Sequence, residues 1–125
     1  MTNNEKGVYG IAANANAQEG YYNFIHQNGG EIVVDNGDGT KTSGYFMDET
    51  KEALKWYVDL SLEEGVSPSN TQMSDTAPAT LFQSGKVAMM FAGSWMVSEF
   101  ASYDYIVKNC DVCSTSTRKR KRNCL

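Results

Sequence analysis

Several residue types are scarce in this sequence, and each scarcity excludes a class of protein. The first cysteine is Cys110, so a disulfide-stabilised scaffold is excluded for most of the chain. The first arginine is Arg118, and the six earlier lysines are outnumbered by 15 acidic residues, which argues against a nucleic-acid surface there. The only histidine is His26, so catalysis by a histidine base is not favoured.

Long apolar segments are also missing. The longest apolar run, residues 87–92, is far shorter than the ~20 residues of a membrane-spanning helix. The N-terminus has no basic region followed by an apolar stretch, so we expect no signal peptide. With 125 residues, 41% of them hydrophobic and 21% charged, the composition predicts a soluble globular chain of one domain or part of one.

The charge distribution divides the chain near residue 112. All 15 acidic residues lie within residues 1–112, together with six lysines and no arginine. Residues 113–125 contain five consecutive basic residues, at positions 118–122, and no acidic residue. We therefore expect a folded region over residues 1–112 and a disordered basic tail over residues 113–125.

Segments with strand and helix patterns alternate along the chain, which predicts an α/β fold with helices covering the sheet. The predicted strands are residues 8–12, 31–34, 41–45 and 86–91, with another beginning at 110–112. The predicted helices begin at Asn14 or Asn16, at Asp48, at Asp75 or Thr76, and at Ser94, and they end near Asn28, Gly65, Ser84 and Lys108. Turn residues at 35–40 predict a β-hairpin. Because strand 86–91 is apolar on both faces, it is predicted to lie inside the sheet.

Gly93, Ser94 and Trp95 lie where the apolar strand 86–91 gives way to a helix. In open α/β sheets, ligands bind in crevices beyond the carboxyl ends of strands. A large aromatic ring beside free helix amides suits a ligand that has an apolar face and hydroxyl groups, as sugars do. Position alone also allows Trp95 to be a core residue, because aromatic side chains dominate cores.

Glu19, Tyr21 and Tyr22 follow the loop after strand 8–12 in the same way. A carboxylate and two phenols can hydrogen-bond hydroxyl groups and stack on a sugar ring. The alternative is that Glu19 interacts favourably with the helix dipole and that one tyrosine packs inside.

Three other motifs have simpler interpretations. Cys110 and Cys113 form a single C-x-x-C pair that could be redox-active or half of a zinc site, but no second pair supplies four ligands. The turn at 35–40 has glycine where a calcium loop needs oxygen donors. The basic run at 118–122 could bind nucleic acid, although an unstructured tail is the simpler interpretation. We therefore predict no metal and no cofactor.

Four blocks of the sequence resemble one known family. They are residues 19–30, EGYYNFIHQNGG, residues 48–60, DETKEALKWYVDL, residues 82–89, FQSGKVAM, and residues 93–96, GSWM. In this order and spacing they resemble the extracellular solute-binding proteins of family 1. These are the sugar-binding components of ABC importers and are related to maltose-binding protein. The resemblance covers about residues 6–112.

The resemblance implies a two-lobed, periplasmic-binding-protein-like (type II) α/β fold that closes on its ligand by a hinge motion. This chain would represent an incomplete second lobe with a β-hairpin insertion. By resemblance, Trp95 matches the aromatic residue that stacks on the sugar, and residues 19–22 match a helix start lining the same cleft. The family further implies carbohydrate binding rather than catalysis, an ABC permease as partner, and a lipoprotein located outside the cell, at its surface or in the periplasm.

The tail departs from the family pattern. Members commonly continue Asp-Val-Ala-Val-Leu-Pro there, and permissible codons for residues 113–125, read one base later, restore that strand and turn. We therefore hypothesise that a frameshift ended the chain early and left a fragment with weak or no ligand binding. The alternatives are a small protein whose basic tail binds nucleic acid or a partner, and an inactive pseudogene product.

Overall fold

The computed structural model describes residues 2–113, a mixed arrangement of short strands and helices. The strands are β1 (Tyr9–Ala12), β2 (Val33–Asp35), β3 (Lys41–Ser43) and β4 (Val87–Met90). The helices are α1 (Gln18–Gln27), α2 (Asp48–Leu62), α3 (Asn70–Asp75), α4 (Pro78–Gln83), α5 (Met96–Phe100) and α6 (Asp104–Asn109), with 3₁₀ turns at Asn4–Lys6 and Gly44–Phe46. Residues 114–125, most of the predicted basic tail, lie outside the described residues.

The central sheet pairs β1 with β4 in parallel, with Tyr9 opposite Val87 and Ile11 opposite Met89. The prediction that β4 lies inside the sheet was wrong. Within residues 2–113 no strand pairs with its other edge, and Met89 is 58% exposed. An apolar strand is buried on both faces only where neighbouring elements cover it. The strand predicted at 110–112 is also absent from the described part of the chain.

A hydrophobic cluster of Tyr9, Ala12, Met73 and Val87 joins the sheet to α3, and a second buried region lies between α1 and α2. Ile25 of α1 and Tyr57 of α2 are fully buried, and Ala53 lies one turn before Tyr57. The Thr50 hydroxyl accepts a hydrogen bond from the Glu31 backbone N–H at 3.2 Å and donates to the Glu31 carbonyl at 3.1 Å. These contacts tie the chain leaving α1 to the first turn of α2.

The start of α1 differs from the prediction, whereas its end agrees with it. Neither Asn14 nor Asn16 caps the helix, which follows Ala17. The Asn14 side chain instead accepts a hydrogen bond from the Asn16 backbone N–H at 3.0 Å. At the other end, Gly29 has a φ of 85° and the Gly30 N–H donates to the Ile25 carbonyl at 2.9 Å. This left-handed glycine ending confirms the predicted stop.

The other predicted helix starts were displaced by one or more residues. Asp48 is the first residue of α2 rather than its cap. Neither Asp75 nor Thr76 caps α4, which begins at Pro78, a residue whose fixed φ suits a first turn. Ser94 does not cap α5 either.

Two features of the helical layer were missed. The single helix predicted from Ser94 to Lys108 is divided into α5 and α6 by a turn at residues 101–103. The helix α3 was not predicted at all. Its start is a capping box, in which the Ser69 hydroxyl accepts from the Gln72 N–H at 3.2 Å and the Gln72 side chain accepts from the Ser69 N–H at 2.8 Å.

The β-hairpin was predicted and is present, because β2 and β3 pair in antiparallel fashion. Its turn uses glycines with positive φ, 78° at Gly37 and 86° at Gly39, which strongly favour glycine. The second strand is shorter than predicted. It ends at Ser43 and is followed by the 3₁₀ turn Gly44–Phe46.

Candidate functional site

A pocket of about 200 Å³ lies at the carboxyl ends of the paired strands. From β1 and the segment after it come Ala12, Asn14 and Glu19, and from β4 and the segment after it come Met90, Phe91 and Trp95. Parallel strands end at the same edge of a sheet, which is why two segments about 75 residues apart in the sequence meet here. The pocket therefore lies at the edge of the sheet where the sequence placed a ligand.

One side of the pocket, here called the strand wall, consists of Met90, Phe91 and Trp95. The Trp95 side chain is 71% exposed, so it is not a core residue of the described chain. A side chain on Gly93 would collide with the indole, which means that the ring lies directly against the Gly93 backbone. Gly93 thus allows the indole to lie close to the backbone while most of its surface stays accessible to a ligand.

The opposite side, here called the helical wall, consists of Glu19 and Gly20 of α1 and Tyr57 of α2. The Tyr57 hydroxyl donates to the Asn14 carbonyl at 3.3 Å, so the loop after β1 is tied to α2. A side chain on Gly20 would collide with that same hydroxyl, so the absence of a Cβ at position 20 allows the two helices this approach.

The electrostatics of the helical wall follow from burial and one charge. Burial, and secondly the negative charge of Glu19, raise the pKa of Tyr57 to about 12. The Tyr57 phenol is therefore neutral at physiological pH and remains a hydrogen-bond donor. Glu19 itself is exposed, so its carboxylate is available to ligand hydroxyls.

The structure brings only some of the predicted residues together. Glu19 and Trp95 line the same pocket, whereas Ser94 is exposed beside it and does not line it. Tyr21 and Tyr22 lie outside the pocket, with ring centroids 4.9 Å apart in an edge-to-face arrangement.

Two residues of the site were missed by sequence reasoning. Tyr57 lies at an apolar position of the helix predicted to begin at Asp48, and helical spacing gives no sign that its hydroxyl reaches the pocket. Asn14 was considered only as a helix cap. Its place after a predicted strand was the available signal, because loops at strand ends supply ligand contacts.

Other candidate sites have little structural support. Within residues 2–113 no cluster of three or more His, Cys, Asp or Glu side chains is arranged to hold a metal ion. The thiols of Cys110 and Cys113 are both unpaired, and the basic run at 118–122 lies outside the described residues. No helix in that same described region has both the length and the hydrophobicity needed to cross a membrane.

Comparison with known proteins gives the class and the family. The structure is similar to that of an ABC substrate-binding protein, Lmo0181 from Listeria monocytogenes, in complex with cycloalternan, with a TM-score of 0.68 and 28% sequence identity. The match covers 82% of this chain and 26% of that protein, so the chain spans about a quarter of its relative's length. A search of curated proteins gave no match.

The sequence gives the same assignment independently of the structure. Residues 1–109 match the bacterial extracellular solute-binding protein family, and the chain belongs to that family. The α/β architecture with a hairpin, predicted from the sequence, is thereby confirmed as part of a substrate-binding protein fold.

Proposed function

We propose that this chain provides a carbohydrate-contacting part of the substrate-binding component of an ABC importer. The observation that carries the proposal is Trp95, an exposed indole held against Gly93 at the carboxyl end of the sheet, in the same pocket as Glu19. An aromatic face desolvates the apolar side of a sugar ring, and a carboxylate accepts hydrogen bonds from its hydroxyls. The cycloalternan complex of the relative supports the same ligand class.

The proposed activity is binding and delivery rather than catalysis. A ligand-loaded binding protein would pass its sugar to the permease outside the cytoplasm, in keeping with the extracellular family. We expect weak affinity for the chain by itself. The pocket of about 200 Å³ is smaller than the roughly 300–1,000 Å³ of typical small-molecule sites. Weak affinity here means a dissociation constant near 1 mM, at which binding is favourable by only about 4 kcal/mol of free energy.

The test is isothermal titration of the full chain with cycloalternan, maltotriose and glucose. We expect saturable heat for at least one of these sugars and its loss in Trp95→Ala. The matched control is Trp56→Ala, which removes another half-exposed tryptophan that does not line this pocket. The proposal fails if the folded chain binds none of the sugars, or if both tryptophan variants bind as well as the unmodified chain.

A further inference from the structure

A second cavity, of about 370 Å³, lies between α1 and α2 and is here called the helix groove. Its lining residues are Phe24, Gln27, Asn28, Glu52, Ala53 and Trp56. None of the six lines the pocket at the strand ends, so the groove is a separate cavity. Its volume lies within the roughly 300–1,000 Å³ of typical small-molecule sites, whereas the volume of the pocket does not.

The groove contains an aromatic surface that the fold holds in place. Trp56 is 52% exposed, and its ring centroid lies 4.9 Å from that of Phe24. Phe24 packs in turn against Tyr57 and Phe91, with centroid distances of 5.1 Å and 5.2 Å. The indole is therefore supported on one side by a packed ring, while much of its surface stays open to a ligand.

A carboxylate is held beside this indole. Glu52 precedes Trp56 by four residues, so the two side chains lie on the same side of α2. The Asn28 side-chain amide donates to the Glu49 carbonyl and to Glu52 Oε2, both at 2.9 Å. These hydrogen bonds tie the end of α1 to α2 and fix the carboxylate at the groove.

The negative charge of Glu52 has no basic partner. In the described part of the chain Glu52 takes part in no ion pair, and no lysine lines the groove. The lysines that flank it on α2, Lys51 and Lys55, pair with Asp48 and Asp59 instead. The groove therefore presents an aromatic face together with an unpaired carboxylate, and this combination favours a cation.

We propose that the helix groove binds a guanidinium group between the Trp56 indole and the Glu52 carboxylate. An indole face attracts a cation, and a carboxylate accepts charge-assisted hydrogen bonds from two N–H groups at once. A planar guanidinium stacks on an aromatic ring and is less strongly hydrated than an ammonium, so it suits this site better. The Gln27 amide can accept a further N–H. The guanidinium group can belong to a free solute or to an arginine side chain of a protein.

The experiment follows the indole N–H signals of the isotope-labelled full chain by NMR during titration. The chain has two tryptophans, and Trp56→Phe identifies the signal of each. The probes are methylguanidinium, the peptide acetyl-Gly-Arg-Gly-amide, and the same peptide with neutral citrulline in place of arginine. We expect the Trp56 signal to shift saturably with the first two probes and not with the citrulline peptide. The Trp95 signal should not move. Tighter binding of the arginine peptide than of methylguanidinium would point to a protein side chain as the natural ligand, and equal binding to a free solute.

A pair of glutamine variants tests the carboxylate. Glu52→Gln keeps the shape of the side chain and removes its charge, so it should weaken binding of the arginine peptide by about 3- to 10-fold. The matched control is Glu64→Gln, which removes the charge of another exposed glutamate outside the groove and should change the affinity by less than about 2-fold.

The chain has arginines of its own at positions 118, 120 and 122, which can compete with the probes. The titration is therefore repeated with these three replaced by glutamine. Absence of a saturable Trp56 shift in both chains overturns the inference. An equal response to the citrulline peptide, or equal weakening by the two glutamate variants, overturns it as well. The proposed sugar site is reported by the Trp95 signal and the helix groove by the Trp56 signal, so each proposal can fail without the other.

Discussion

Tyr57 of the helical wall is buried in the core, whereas Trp95 of the strand wall is largely exposed. Tyr57 is 1% accessible and contacts both the Asn14 carbonyl and Gly20. Trp95 directly precedes the five-residue helix α5 and keeps most of its surface in solvent. The two walls therefore contribute differently, because one side chain stabilises the fold and the other remains available to a ligand.

The difference shows which of these two side chains is held in place before a ligand binds. The helical wall is held by buried contacts between α1 and α2, with Phe24 of α1 packed 5.1 Å from Tyr57. In the strand wall Met90 and Phe91 are half-buried, with Met90 packed against the core of the sheet and the Phe91 ring 5.2 Å from that of Phe24, and only Trp95 is largely exposed. Substitution of Tyr57 should therefore change stability first, and substitution of Trp95 should change binding first.

Tyr57→Ala is expected to cause the largest loss of stability. Removing this buried ring should lower the free energy of unfolding by about 3–5 kcal/mol, because it leaves a cavity between α1 and α2. Trp95→Ala should change the same quantity by less than about 0.5 kcal/mol, because the indole is mostly exposed. Urea denaturation followed by circular dichroism measures both. Similar losses for the two variants would contradict the proposed difference between the walls.

A pair of glycine substitutions sharpens the comparison. Gly20→Ala and Gly93→Ala each direct a new methyl group into an aromatic side chain. At position 20 the neighbour is the buried Tyr57, which cannot move freely, so we expect a loss of about 2 kcal/mol of stability. At position 93 the neighbour is the exposed Trp95, which can swing away, so stability should change by less than about 0.5 kcal/mol.

Urea denaturation reports the stability of both glycine variants. The indole displaced by Gly93→Ala should also stack less well on a sugar, so its titration heat should fall. A large stability loss at position 93 would show that the strand wall is as tightly packed as the helical wall.

Much of the helical wall could be predicted from the sequence. The apolar spacing along α2 predicts a buried face that includes Ala53, Tyr57, Val58 and Leu62. Ala53 and Tyr57 are buried as predicted, but Val58 and Leu62 are 37% and 75% exposed. The meeting of Glu19 with Trp95 was also foreseeable, since parallel strands bring their carboxyl ends to one edge.

The strand wall could be predicted only in part. The apolar pattern of β4 shows that it is a strand, but its exposure depends on what lies beside it. The break between α5 and α6 could not be predicted either, because the helical spacing of apolar residues continues across residues 101–103.

The smallest predicted change in stability comes from the ionisation of Tyr57 in the helical wall. Because burial and Glu19 raise the pKa of Tyr57 from 10.0 to about 12, the folded state keeps its proton at a pH where the unfolded chain loses it. The resulting stability is fully present below pH 10 and is lost as the pH rises through 12. Between pH 9 and pH 11, Tyr57 should therefore account for a loss of about 1.4 kcal/mol.

Tyr57→Phe isolates that contribution, because it keeps the ring and removes the ionisable group. The variant should lose less stability than the unmodified chain over the same pH interval, and the difference cancels the titration of lysines and other tyrosines. Tyr103→Phe, at an exposed tyrosine, is the control and should follow the unmodified chain. Parallel pH profiles for Tyr57→Phe and the unmodified chain would mean that the phenol of the helical wall ionises as readily in the folded state as in the unfolded one.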